Sequence, residues 1–133
     1  MARVAVDTNV LVSALIKKGK PLELLGRLLD KHTLVFSSQM LAELADVLSR
    51  DKFAITDAQV ERFISLLLKK STVVSLSGNL AVILEGPDDN TVLLTAVNGK
   101  ADFIVSGDKH LLKLRKFEDI EIVTVSQMLA ILR

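Results

Sequence analysis

Apolar and polar positions follow two rhythms along this chain. Short, nearly unbroken apolar runs occur at Arg3-Val4-Ala5-Val6, Leu34-Val35-Phe36, Thr72-Val73-Val74, Phe103-Ile104-Val105 and Ile120-Glu121-Ile122-Val123. Runs of this length suit strands buried on both faces. Between them, apolar residues recur at the three-to-four spacing of helices. The stripes are Leu22, Leu25, Leu28 and Leu29, then Leu41, Leu44, Val47 and Leu48, then Val60, Phe63, Ile64, Leu67 and Leu68, then Val92, Leu93, Ala96 and Val97. Asn9 is expected to cap a helix running through Ile16, and Ser37-Ser38 and Thr56-Asp57 are expected to open two more. Asp88 and Asp89 fall where the first turn of the next helix belongs, and Gly99 is expected at its C′ position. A short helix around Leu111 and Leu112 and a last one from Ser126 to Leu132 complete the series. Strands that alternate with helices predict a parallel sheet covered on both faces, an α/β fold.

Length and composition narrow this further. The 133 residues make one domain, spanning 1–133, with half of the positions apolar and a quarter charged. Without cysteine the chain has no disulfide framework, thiolate zinc site or cysteine nucleophile. A net charge of +1 creates no bulk field for a polyanion, so contact with nucleic acid has to rest on local patches. The apolar stretch from Val10 to Ile16 follows Asp7 and Asn9, has no small-residue cleavage site after it, and falls well short of the roughly 18 uncharged residues of a membrane span. A soluble, cytoplasmic protein with no membrane partner is expected.

The chemistry worth testing lies in the acids. Val6-Asp7-Thr8-Asn9 and Val105-Ser106-Gly107-Asp108 put aspartates just past two strands, Asp88-Asp89 opens a helix, and Glu43 sits inside another. Strand ends and helix starts share one rim of a parallel sheet, the rim where ligands bind. Carboxylates gathered there repel one another, and a hard divalent cation such as Mg²⁺ or Mn²⁺ is the natural remedy. Such an ion activates water and stabilises charge on a phosphate. Each acid also has a plainer reading: strand-end aspartates cap the next helix, helix-start acids complement the dipole, and Glu43 alone is a solvated helix acid. His32 and His110 belong to no spaced metal motif and read as surface residues. No serine sits in a nucleophile elbow, and the glycines form neither a dinucleotide fingerprint nor a phosphate loop. Asp7-Thr8-Asn9-Val10 partly matches the phosphorylated-aspartate motif of haloacid dehalogenase-like phosphatases, but Asn9 stands where that motif has a second aspartate.

Taken in order, Val6-Asp7-Thr8-Asn9-Val10-Leu11, Glu43, Pro87-Asp88-Asp89-Asn90 and Ala101-Asp102-Phe103-Ile104-Val105-Ser106-Gly107-Asp108 resemble the PIN-domain nucleases over nearly the whole chain. The nearest branch is that of toxin components of toxin–antitoxin systems related to the VapC ribonucleases. The resemblance implies a three-layer α/β/α sandwich on a parallel sheet of about five strands. It also implies a Mg²⁺- or Mn²⁺-dependent ribonuclease, commonly dimeric, silenced by a protein antitoxin. Carried over, the catalytic and metal-binding acids fall on Asp7, Glu43, Asp89 and Asp108, with Asp88 as an additional metal ligand and Asn9 and Ser106 as supporting polar residues. One departure is Gly86 before Pro87, where this branch usually has aspartate; it leaves room for weakened metal binding.

Two groups of basic residues trail the acids: Lys17, Lys18 and Lys20, and Lys109 and Lys113. Both are expected to meet RNA phosphates, with a solvated loop as the competing reading. The wide apolar stripes around Leu22–Leu29 and Val60–Leu68 point to a homodimer or higher homo-oligomer. Three functions therefore stay in play: a metal-dependent endoribonuclease toxin, a catalytically weak PIN-like module binding RNA or protein, and an aspartyl-phosphate phosphatase using Asp7.

Overall fold

The computed structural model describes the backbone of residues 1–50, 53–76 and 87–133, and the side chains of these residues apart from 87–89. The elements run β1 (Arg3–Val6), α1 (Thr8–Ile16), α2 (Gly19–Lys31), β2 (Thr33–Ser37), α3 (Ser38–Leu48), α4 (Asp57–Lys70), β3 (Ser71–Val74), α5 (Pro87–Asn98), β4 (Phe103–Val105), α6 (Lys109–Leu114), β5 (Lys116–Phe117), β6 (Ile120–Val123) and α7 (Val125–Ile131). Among the described residues they form one six-stranded sheet in the order β3-β2-β1-β4-β6-β5.

β1 is central. Val4 pairs with Leu34 on one side and Phe103 on the other, and Ala5 with Val35 and Ile104. All neighbours from β3 to β6 are parallel. Val4, Ala5, Leu34, Val35, Phe36, Ile104 and Val105 are fully buried, as strands covered on both faces must be. α2 and α3 pack against β2, α4 against β3, and α5 against β1, β2 and β4. This is an α/β sandwich, as the pattern predicts, with one addition. The sixth strand, β5, is two residues long and antiparallel to β6. No period-2 pattern marks Lys116-Phe117, and the turn that follows has Glu118 at φ 53° where glycine would have signalled a hairpin.

Three local expectations need correction. The cap of α1 is Asp7, whose side chain accepts from the Asn9 backbone N–H, so the helix begins two residues earlier than a cap at Asn9 would allow. On the apolar stripes, Leu22 and Leu68 are 42% and 47% exposed while Leu24 is buried, because a helix resting on a sheet buries a narrower arc than the run of leucines suggests. At the end of α5, Ala101 N–H bonds to Ala96 O and Lys100 N–H to Val97 O, a Schellman pair. The left-handed C′ residue is therefore Lys100, at φ 53°, and Gly99 lies one position earlier. What requires glycine at 99 is space: a Cβ there would fall on Cγ1 of Val35, a fully buried side chain in β2.

The two glycine effects separate by mutation. Gly99→Ala is expected to destabilise the fold by about 1–3 kcal/mol through overpacking. Lys100→Gly, which relieves the left-handed residue, is expected to stabilise it by roughly 0.5–1 kcal/mol. Urea denaturation of both variants checks the assignment; a harmless alanine at 99 would contradict the close approach to Val35.

Candidate active site

The strand order reverses at β1, with β2 and β3 on one side and β4, β6 and β5 on the other. In open α/β sheets ligands bind at this switch point, outside the carboxyl ends of the strands. Asp7 follows β1 there, and Ser106-Gly107-Asp108 follow β4. Backbone pairing fixes the juxtaposition: Val6 is in register with Val105, and Asp7 N–H bonds to Val105 O at 2.9 Å.

Ser106 joins the two acids. Its fully buried hydroxyl donates to Asp7 Oδ2 at 2.7 Å and accepts the Asp108 backbone N–H at 2.9 Å. Asp108 in turn caps α6, Oδ1 accepting from His110 N–H at 2.7 Å. The second Asp7 oxygen, Oδ1, accepts from Asn9 N–H at a long 3.4 Å. The plain capping role thus holds for both aspartates, and it leaves Asp7 Oδ1 weakly engaged.

Asp7 is buried, and desolvation lifts its pKa above the ordinary carboxylate value. The hydrogen bonds from Ser106 and from the Asn9 and Thr8 backbone pull it down, and the nearby Asp108 charge pushes it up. The pair is therefore costly to hold fully ionised, and its donors are hard oxygens suited to a divalent cation.

The other predicted acids stand differently. Glu43 lies half-buried on α3, and the described residues contain no group of three acids or histidines able to hold a metal. Asp88 and Asp89 occupy the first turn of α5, with their side chains outside the described set, and Gly86 lies outside it altogether. Two contacts fix where that turn sits. Thr95 Oγ1 donates to Ser37 Oγ at the carboxyl end of β2, while Gly99 O accepts from Arg3 Nε at the other end of β1. So α5 runs antiparallel to β1 and raises its first turn above the rim that carries Asp7. The next residue, Asn90, has a buried Oδ1 with no hydrogen-bond partner among the described residues.

Asn9 is exposed beside Asp7, and Lys17, Lys18, Lys20, Lys109 and Lys113 are all exposed. His110 is exposed, but His32 is no simple surface residue: its Nδ1 accepts the Ala2 backbone N–H at 2.9 Å and pins the start of β1. Sequence reasoning missed Thr124 and Ser126, which join Asn9, Ser106 and Asp108 around a cavity of about 390 Å³. The signal there is the capping box from Thr124 to Gln127, which marks a helix start on the same rim.

The PIN domain family model matches residues 3–110. The chain belongs to the PIN domain family. Among solved structures, VapBC2 from Rickettsia felis, bound to a DNA fragment from its promoter, is similar at a TM-score of 0.66 and 19% identity, over 92% of this chain and 98% of that one. PAE2754 from Pyrobaculum aerophilum is similar at a TM-score of 0.64 and 17% identity, over 98% of this chain and 89% of that one. At these identities the likeness is one of fold. No curated protein sequence matches the chain significantly.

Because folding raises the Asp7 pKa, the native PIN domain holds a proton more tightly than the unfolded chain, and stability falls as pH rises through that raised pKa. Asparagine keeps the cap and removes the charge. Metal-free Asp7→Asn is therefore expected to melt higher than the parent at pH 7, with the gap closing as pH falls toward the unfolded value of 3.8. Calorimetric scans across that range check it; a gap that widened on acidification would contradict the burial argument.

Proposed function

We propose that this PIN domain is a metal-dependent endoribonuclease that hydrolyses RNA phosphodiesters, and that it is the toxin of a toxin–antitoxin pair. The observation that carries the reading is the Asp7–Ser106–Asp108 unit at the switch point of a PIN-family sheet. Asp7 and Asp108 supply the described oxygen ligands and Ser106 orients Asp7. Asp89, with Asp88 beside it, is assigned to the same site because α5 raises its first turn over that rim, and Glu43 completes the acidic set from α3. Asn9 supports the site from the first turn of α1. When bound, Mg²⁺ or Mn²⁺ would generate the attacking water and neutralise charge on the phosphate.

The protein's own contribution is to hold the acids in fixed orientations at the rim. The Ser106 hydroxyl prevents Asp7 from rotating, and the His110 N–H does the same for Asp108. Lys109 follows Asp108 directly and Lys113 lies one turn later, both exposed and placed to meet the RNA backbone. Lys17, Lys18 and Lys20 surround the turn from α1 to α2 and are assigned the same role.

Two protein partners belong to this reading. An apolar groove of about 430 Å³ between α1 and α4, lined by Leu15, Ile16, Phe53, Ile55, Phe63 and Leu66, supports docking of an antitoxin segment. Exposed Leu22, Leu66 and Leu68 support self-association, so light scattering at micromolar concentration is expected to give a homodimer or larger; a monodisperse monomer would remove that partner.

The decisive experiment is cleavage of mixed RNA with Mg²⁺ or Mn²⁺ added back after chelation. Cleavage is expected only with the ion present, and Asp108→Asn is expected to reduce it by at least about 100-fold while leaving the fold intact. RNA binding without cleavage under either ion would favour the catalytically weak binding module instead. A trapped phosphate on Asp7 would favour the phosphatase.

A further inference from the structure

We propose that the cavity between α1, α6 and α7 is a nucleoside subsite, holding one base and its ribose from single-stranded RNA with the adjoining phosphate at the Asp7–Asp108 pair. The proposal rests on the ribonuclease reading for the identity of the polymer, and on the cavity's own chemistry for the identity of the unit bound.

Size comes first. The space is about 390 Å³, within the range of roughly 300–1,000 Å³ usual for small-molecule sites, and large enough for a nucleoside. Its walls are the first turns of α1 and α7, the Ser106-Gly107-Asp108 corner, and Pro21 in the first turn of α2. Pro21 reaches this wall because the chain reverses at Lys18 and Gly19, with φ of 61° and 55°.

The lining is polar without being basic. Asn9, Ser13, Thr124 and Ser126 bring one amide and three hydroxyls, Val10 and Val125 bring apolar surface, and Asp108 is the only charged side chain. A free phosphate or another anion is a poor occupant, since nothing cationic lines the space and Asp108 repels it. A neutral ring with hydrogen-bonding edges fits better. The Asn9 side chain is exposed and makes no hydrogen bond to the described protein; its amide presents a donor and an acceptor together, the pattern that reads a base edge. Thr124 Oγ1 accepts from Gln127 N–H at 3.1 Å, which leaves its own O–H free to donate. The side-chain hydroxyls of Ser13 and Ser126 make no hydrogen bond to the described residues and can meet ribose hydroxyls.

Continuity with the acids supplies the geometry. Ser106 and Asp108 belong both to this wall and to the acidic unit, so a nucleoside seated here has its phosphate beside Asp7. Lys20 precedes Pro21 and Lys109 follows Asp108, which puts exposed cations next to two opposite walls, where the flanking phosphates leave. The pocket itself would select a nucleoside and the lysines would hold the chain.

The test needs neither metal nor cleavage. Uridine, cytidine, adenosine and guanosine are titrated separately into ¹⁵N-labelled protein in chelator, and the backbone amides of Asn9, Gly107 and Ser126 are followed. At least one nucleoside is expected to shift them saturably. Ser126→Trp, at an exposed position in the first turn of α7, and Ser13→Leu, on the opposite wall, are each expected to weaken binding by about tenfold or more. In the cleavage assay Ser126→Trp is expected to raise KM for single-stranded RNA by a similar factor, with calorimetric Mn²⁺ affinity as in the parent. Absence of saturable shifts with all four nucleosides, or equal affinity in the parent and both variants, would overturn the proposal. Binding that both variants weaken, in a protein that cleaves no RNA, would uphold the pocket and bring down the ribonuclease reading instead.

Discussion

A carboxylate buried at the end of a central strand has to be held against its own desolvation. Asp7 is in that position, flanked by fully buried Val6 and Val105 and with a second acid, Asp108, close by. The Ser106 hydroxyl is the group that makes the arrangement tenable, since it donates to Asp7 while accepting from the Asp108 backbone. A serine there has one proton to give and lone pairs to receive, and both are used. Alanine at 106 would leave a buried carboxylate oxygen and a backbone N–H without partners, a cost of about 1–3 kcal/mol for each group.

That single hydroxyl couples local structure to the site. Asp7 begins α1 and Asp108 begins α6, so the same side chains that satisfy helix N-termini also project their remaining oxygens to the rim. The β1–β4 register brings the two caps together across neighbouring strands, so shifting either strand by one residue would turn one acid into the core. On the far side of β2, the buried Thr95–Ser37 hydroxyl pair does comparable work, tying the start of α3 to α5 and setting the height of the α5 first turn above the same rim. Capping and site-building are one construction in this fold, which is why the two readings of the strand-end aspartates do not compete.

Much of this was legible in the sequence because it is written in short-range patterns. Five strands announce themselves as short apolar runs, although the edge strand β3 leaves Val73 exposed, and Thr56 and Ser37 stand before helices as caps should. Asp7 and Asp108 were identifiable from their position after such runs. The errors came where a tertiary contact decides. Gly99 looks like a helix stop, yet its hydrogen atom is needed by Val35 from another element, and the left-handed turn is left to Lys100. β5 has no pattern of its own because its pairing with β6 depends on a non-glycine turn at Glu118. Thr124 and Ser126 carry no chemical signal in the chain; the β4–β6 register, with Ser106 N–H on Val123 O, and the packing of α7 against α2 bring them to the wall beside Asp108.

If the site acts on RNA as proposed, the charge balance sets how it would work on a polyanion. With a net charge of +1, the molecule offers little long-range steering, and exposed lysines lose much of their attraction beyond a Debye length of about 8 Å at physiological salt. Affinity gained from phosphate contacts alone would therefore fall steeply as salt rises. Hydrogen bonds from Asn9, Ser13, Thr124 and Ser126 to a neutral base and ribose would not depend on ionic strength in that way, and they lie beside the acids that repel the backbone. A site that must bring a negatively charged backbone up to Asp7 and Asp108 meets repulsion at the point of chemistry itself. Neutral contacts next to those acids, with cations only at the margins, resolve that conflict without adding fixed positive charge that would compete with a metal ion for the same carboxylates.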